Sequence, residues 1–431
     1  MFNGLKYVKL LLVILVCVLA FPFGYHKNIA VREGYTNKLS VIKGDSITVY
    51  LDCKEKHRKG QFLLYDIHYN AIDSAIASCN EQKINTLKPW GEGFGYNPTI
   101  GYPTNKLKSG IYFWYKFIPF IVTEKKKCDI TLVIPLMNIQ TESSFGGKSF
   151  YDYNSSDNDP AGTLSIKRPT RFSAKSEAFI LWLDSLYPNQ NYMSDYDLED
   201  LSAFENSKML IFYDNIPFIS KKARENIDAF IKKGGNILVL TSNIMNNILS
   251  INSTEHLLIF NSHNKGNSSS YLWNDNEKQN TPNYFSIGGS YECNFSSDTS
   301  LTFAGYKIIS TKNPLLTGVD NFESELYTIA NDLYASPPLV WANGLPILDT
   351  SKVNYYRSEI IAYGINRYGN YANTGTFFIF QNNPTSGYVI NTGCMSWTKS
   401  EQLKNKTISN TIKNCIEILK SGKSPFVKDA I

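Results

Sequence analysis

The chain has 431 residues, 43% hydrophobic and 14% aromatic, with a net charge of +5 dispersed along its length. That size and apolar share suffice for about two or three packed domains. No stripe of lysine or arginine stands out, which argues against a nucleic-acid partner.

Lys6 and Lys9 precede the apolar run Leu10–Ala20, which has the length of a secretory signal core and is short for a membrane span. Val18-Leu19-Ala20 supplies a small-residue cleavage site, and extension through Phe21-Pro22-Phe23 gives an uncleaved signal anchor instead. Either way segment 1–27 places the rest of the chain outside the cytoplasm, secreted or held at the membrane. Cys17 follows Val16 rather than a small residue, against a lipidated cysteine. Cys53, Cys79, Cys128, Cys293, Cys394 and Cys415 follow with no C-x-x-C pair, which argues against a zinc ribbon or a thioredoxin-type site. Disulfides of open connectivity and buried free thiols both fit them. Abundant Asn, Ser and Tyr suit an extracytoplasmic, carbohydrate-handling surface, and a low-GC coding bias would give the same enrichment.

From 28 to 137 the runs SITVYL (Ser46–Leu51), QFLLYDI (Gln61–Ile67), IYFWYKF (Ile111–Phe117) and ITLVI (Ile130–Ile134) are short and rich in β-branched and aromatic residues. Turns at Lys43-Gly44-Asp45 and Lys108-Ser109-Gly110 punctuate them, and the span predicts a β-sandwich of about 100 residues. Trp90–Tyr102 is a glycine- and aromatic-rich loop within it. Residues 138–165 read as a polar connection. From 166 to 431 helices alternate with strands. Ser176–Leu186 predicts a helix with Phe179, Trp182, Leu183 and Leu186 on one face. Met209–Phe212 reads as a strand buried on both faces, Ser220 as the cap of a helix closed by Gly234-Gly235, and Ile237–Leu240 as a second buried strand. A right-handed βαβ unit with parallel strands follows. Asn261–Asn283 suggests a surface excursion. Phe303–Ile309, Phe377–Phe380 and Tyr388–Asn391 read as further strands, and Lys404–Lys420 as a closing helix with Ile408, Ile412, Cys415 and Leu419 inward. The fold class is therefore α/β with an N-terminal all-β domain.

Ligands of such sheets bind outside the carboxyl ends of the strands. Those ends carry Tyr213, Asp214 and Asn215, then Thr241, Ser242 and Asn243. Gly147-Lys148-Ser149 is not a P-loop, because Glu142 stands where its first glycine belongs and no helix pattern follows. Five histidines without paired spacing argue against a conventional zinc hydrolase. Gly288-Gly289-Ser290-Tyr291-Glu292 misses the last glycine of a nucleophile elbow. Oxygen ligands remain: Asp214, Glu292, Glu323, Glu325 and the tyrosines could hold a hard metal or serve as acid and base.

Several pieces resemble, in order, the C-terminal region of the family named after the large (beta) subunit of N,N-dimethylformamidase. They are Glu33-Gly34-Tyr35-Thr36, Ser40–Gly44, Lys108–Tyr112, Gly146–Tyr151, Arg168-Pro169, Trp182-Leu183, Asp195–Leu198, Gly234-Gly235-Asn236, Ser242-Asn243 and Asn391–Trp397. The resemblance implies a β-sandwich followed by a flavodoxin-like layer of the class I glutamine amidotransferase type. It also implies hydrolysis of a small amide at an iron held by tyrosine and glutamate side chains. The chain departs from it twice. Relatives carry His-x-Glu-Tyr where Asn215-Ile216-Pro217-Phe218 stands, and Ala-Tyr-Asn where Thr141-Glu142-Ser143 stands.

The leading expectation is an exported family member with an altered site, binding a small molecule or glycan or performing an unassigned hydrolysis. The site residues are Tyr213, Asp214 and Asn243, with Glu292 and Glu325 as the metal-ligand candidates; the cofactor stays open, iron being implied only by the resemblance. The alternatives are a metal-dependent amidohydrolase and a structural surface protein.

Overall fold

The computed structural model describes residues 29–54, 58–260, 282–290, 295–296, 303–319, 334–368 and 371–427. The leader, stretch 261–281 and Glu292, Glu323 and Glu325 lie outside the described residues.

The β-branched and aromatic runs at the start form β1 (Val31–Thr36), β2 (Ser40–Ile42), β3 (Ser46–Cys53), β4 (Arg58–Asp66), β5 (Ala71–Cys79), β6 (Ile100–Pro103), β7 (Gly110–Trp114) and β8 (Ile118–Thr123). They make two sheets, β1-β3-β6 and β2-β8-β7-β4-β5. Alternate residues of each, among them Ile47, Val49, Phe62, Leu64, Trp114 and Phe120, meet in one core. The Cys53–Cys79 disulfide joins the end of β3 in one sheet to the end of β5 in the other. It spans 26 residues, so Cys53→Ser with Cys79→Ser is expected to cost about 3.5 kcal/mol through chain entropy. Thermal unfolding with and without reductant checks this; equal midpoints would mean that the bridge does not constrain the unfolded chain.

β9 (Cys128–Ile134) corrects the expected boundary. Rather than closing the β domain, it pairs in parallel with both neighbours of a second, larger sheet. Its run is buried on both faces except at Asp129, which is what a parallel strand between helical layers requires. A short apolar run alone does not separate that from a sandwich strand. The α/β part thus begins near Cys128.

It continues through α1 (Leu136–Glu142), β10 (Thr163–Ser165), α2 (Ala174–Leu186), β11 (Asn191–Ser194), β12 (Ser207–Tyr213), β13 (Ile216–Ser220), α3 (Lys221–Lys232), β14 (Asn236–Leu240), β15 (Ile244–Asn252) and β16 (Leu257–Ile259). Further strands are β17 (Phe295–Ser296), β18 (Phe303–Ile308), the hairpin β19 (Leu339–Ala342) and β20 (Leu345–Leu348), β21 (Arg357–Tyr368), β22 (Tyr371–Gln381) and β23 (Tyr388–Asn391), before α4 (Lys406–Ser421). The large sheet runs β11-β9-β12-β14-β23, all parallel, and then β22, β21 and β18 antiparallel.

Helices cover both faces. Phe179, Ile180 and Leu183 of α2 and Ile408, Ile412 and Cys415 of α4 pack with Leu132, Ile211 and Leu238 on one side. Ile227, Phe230 and Ile231 of α3 pack with Val133, Phe212 and Val239 on the other. Ser220 caps α3 by accepting from Ala223 N at 3.1 Å, and Gly422, at φ 70°, ends α4. Ile180, not Leu186, completes the buried stripe of α2; Leu186 is at the last position and exposed. The β domain docks on the α2 and α4 side, where Ile67, Ile111, Phe113 and Ile121 enter the same core.

The βαβ unit contains one strand more than its pattern suggests. Asn215–Phe218, which reads as the loop after the first strand, falls mostly in β13 (Ile216–Ser220), the edge of a second sheet ordered β10-β16-β15-β13. All five residues of β13 are buried, and Pro217 falls at a register shift against β15. A proline is tolerated at such an edge bulge because no ladder bond is lost.

Candidate functional site

In the parallel part of the sheet β9 has β11 on one side and β12 on the other, so the chain order reverses across it. In sheets of this kind ligands bind outside the carboxyl ends of the strands at such a point. Asp195, just after β11, organises those ends. Its buried carboxylate accepts from Met137 N at 2.7 Å, Asn138 N at 2.9 Å and Asn138 Nδ2 at 2.8 Å, which fixes the first turn of α1 to the end of β11. Asn138 in turn closes the free edge of β13, donating to Phe218 O at 3.0 Å and accepting from Phe218 N at 2.9 Å.

The far end of α1 is held by Arg168, which is fully buried. Its guanidinium donates to the carbonyls of Ser143 (2.9 Å), Phe145 (2.8 Å), Lys148 (3.0 Å) and Gln140. This gathers the loop after α1, whose Gly146-Gly147 turn lies against Pro89 and Trp90. Gly146 has φ 87°, and a Cβ there would come within 2.7 Å of Trp90 N, so only glycine fits. Two short 3-10 turns, Asp152–Asn154 and Ser156–Asn158, follow Lys148-Ser149; Lys148 pairs with Asp159 and lies over the Trp90 ring.

Two of the three strand-end residues expected to act in catalysis converge. Asp214 takes the left-handed conformation, φ 59°, which is uncommon and costly for a residue with a side chain. Its carboxylate is fixed by the buried Ser176 hydroxyl and by Asn215 N at 2.9 Å. Asn243 Nδ2 donates to Asn215 Oδ1 at 3.2 Å and Asn243 Oδ1 accepts from Asn246 at 2.6 Å, so the ends of β12 and β14 are tied together. Tyr213 does not join them. The strand alternation turns it inward against Phe179, at 5.1 Å, and its hydroxyl has no hydrogen-bond partner among the described residues. Burial pushes its pKa well above the ordinary value.

Glu142, Ser176 and Tyr153 complete the site, and the sequence did not single them out as functional. Glu142 closes α1 and is half-buried. Burial first, and the Asp214 charge second, push its carboxyl above the ordinary range. Tyr153 is 66% exposed; burial and then Glu142 and Asp152 raise its phenol. Asn154 Nδ2 donates to the Glu142 carbonyl at 3.0 Å, which keeps the Tyr153 turn beside the end of α1. The one available signal for Glu142 was its position, an acid where relatives carry Ala-Tyr-Asn.

The iron implied by the resemblance can be tested against these side chains. Phe218 is enclosed by Phe150 at 5.3 Å and Phe260 at 4.8 Å and carries no ligand atom. Among the described residues no cluster of three or more His, Cys, Asp or Glu side chains is placed to hold a metal ion. Among the described residues the oxygen donors at the site are Glu142, Asp214 and the exposed Tyr153, while the ligand candidates Glu292 and Glu325 lie outside the described residues.

Compared with known families, residues 99–409 match the one described as N,N-dimethylformamidase beta subunit-like, C-terminal. The matched span starts at β6 and leaves β1–β5 outside. No curated protein matches the chain.

Proposed function

The chain belongs to the N,N-dimethylformamidase beta subunit-like family, and we propose that it is an exported member whose strand-end site is altered. In this reading the site binds a small polar molecule, and Glu142 and Asp214 form an acid–base pair able to hydrolyse it. The parallel strands, numbered along the chain, lie in the order second, first, third, fourth, fifth, which supports a flavodoxin-like layer with its site at the crossing of first and third. Export is supported by the apolar leader and by the Cys53–Cys79 disulfide, since such bridges persist in oxidising compartments. No helix among the described residues is long and apolar enough to cross a membrane.

The observation that carries the catalytic reading is the pairing of a half-buried carboxyl, raised by burial and by Asp214, with a carboxylate that two donors hold in place. In this reading Glu142 is the proton donor and Asp214 the group that accepts a proton from water. Turnover of a panel of small amides should fall by about 100-fold or more in Glu142→Gln and in Asp214→Asn. Glu142→Gln also carries a stability signature. The folded state holds this proton more tightly than the unfolded one, so wild-type stability declines as pH rises above the ordinary carboxyl value of 4.5. The glutamine variant lacks that decline, and its advantage should grow from pH 4.5 upward. Melting curves across pH would sink the assignment if Glu142→Gln were destabilising throughout.

A further inference from the structure

A groove of about 530 Å3 crosses the β domain and shares no residue with the strand-end site. One wall is the segment after β5, with Asn80, Gln82 and Asn85; the other is the loop before β6, with Gly95, Asn97 and Thr99. That loop is part of the glycine- and aromatic-rich stretch that the strand-end chemistry leaves unused.

The walls are tied to each other and to the sheet. Gln82 Nε2 donates to Leu51 O at 2.8 Å and Asn97 O at 3.1 Å, and Asn97 N donates back to Gln82 Oε1 at 2.6 Å. Gln82 N donates to Asp52 Oδ1 at 2.7 Å, and Thr99 Oγ1 accepts from Leu51 N at 3.1 Å. Arg32 clamps Asp52 at 2.8 Å and Glu81 at 2.9 Å, and the Cys53–Cys79 bridge ends beside Asn80. A groove fixed in this way loses little freedom when a ligand enters.

The side-chain amides of Asn85 and Asn97 are exposed and have no hydrogen-bond partner among the described residues. Gly95, at φ 69°, keeps the first of them there, because a Cβ would stand 2.4 Å from Asn85 Oδ1. Two of the lining residues carry charge, Glu81, which shares Arg32 with Asp52, and Lys83. We propose that this groove binds a short oligosaccharide. Neutral side-chain amides present a donor and an acceptor together, which matches sugar hydroxyls that also do both. A lipid or a flat aromatic ligand would find no apolar wall, and a polyanion would find one cation. The volume lies in the range of sites that enclose ligands of a few rings.

The test uses the full chain with the neutral sugars chitotetraose, cellotetraose and mannotetraose at millimolar concentration, read by ligand-observed NMR. At least one of the three is expected to bind. Asn85→Ala with Asn97→Ala should weaken it by about tenfold or more, with an unchanged melting midpoint because no internal hydrogen bond is lost. Asn97→Asp, which keeps the side-chain size and removes the donors, serves as the second variant. Binding of none of the three sugars, or binding that neither variant weakens, overturns the proposal. Glu142→Gln should leave sugar binding intact, which separates this groove from the strand-end site.

Discussion

Replacing Arg168 by methionine is expected to destabilise the protein by about 4 kcal/mol and to release the segment from Gln140 to Lys148. The guanidinium is completely buried and donates to four main-chain carbonyls of that segment. Hydrogen bonds from a charged donor contribute about 1.5–3 kcal/mol each, and acceptors left buried without a partner add their own penalty. The carbonyls regain water only if the loop opens, so part of the loss becomes mobility rather than global unfolding. Lysine does not rescue the site, since an ammonium group is a compact donor and cannot reproduce a planar fork spread over four carbonyls. Because Glu142 sits inside the clamped segment, Arg168→Met should abolish activity even where the fold persists. Hydrogen exchange reads this directly. The amides of Gly147 and Phe150 are bonded to Ser144 O and Thr141 O at 2.8 and 2.9 Å and should lose protection, while those of α3 keep it. Unaltered exchange at Gly147 and Phe150 would remove Arg168 from its organising role.

That clamp shows what a sequence reveals and what it withholds. Arg168-Pro169 and Gly146–Tyr151 are both visible as pieces of the family resemblance, but nothing local links them. The link is a set of backbone carbonyls that exist only after the loop has turned. The same holds for Ser40 and Asp197, far apart in the chain, whose side chains hydrogen-bond across the boundary between the β domain and the α/β part. The β12–α3–β14 unit is legible because each of its signals is local: an unbroken apolar run, a serine cap, a double glycine. β13 is not, since Pro217 and its place after a strand end argue for a loop, and only pairing with β15 and the Asn138 side chain make it a strand. β9 fails for a different reason: burial on both faces depends on a partner layer contributed by α2, α3 and α4 much later in the chain. Of the site, Asp214 and Asn243 follow from the strand-end rule. Tyr213 does not, because one residue along a strand reverses the face, and Glu142 waits for α1 to deliver it.

Asp195→Asn is the second substitution with a large expected effect, about 3–5 kcal/mol. Besides the two amides and the Asn138 side chain, the carboxylate accepts from Ser194 Oγ at 3.0 Å and Tyr196 N at 3.1 Å. Every group around it is a donor. An asparagine turns one of the two acceptors into an NH2 group, so at least one donor must face another at hydrogen-bond distance. Both Oδ1 and Oδ2 are engaged, and flipping the amide only moves the conflict between Met137 N and Asn138. Loss of this anchor frees α1 at its start and β13 at its edge, and Glu142 moves with α1. Asp197→Asn is the internal control, two positions away and partly buried. Its carboxyl, pushed up by burial to about 6, serves one hydroxyl, Ser40, and one amide, Ser194 N at 2.9 Å. An asparagine keeps an acceptor for the amide, and the hydroxyl can rotate to accept, so the loss should stay below about 1 kcal/mol. The sign of its pH dependence is also fixed. The folded state holds the Asp197 proton more tightly than the unfolded chain, so wild-type stability falls as pH rises from 3.8 to about 6. Asp197→Asn should therefore gain on wild type across that window and level off above it. Denaturant unfolding at several pH values compares the two variants, and equal losses for both at neutral pH would show that the donor cage around Asp195 is not what holds the site.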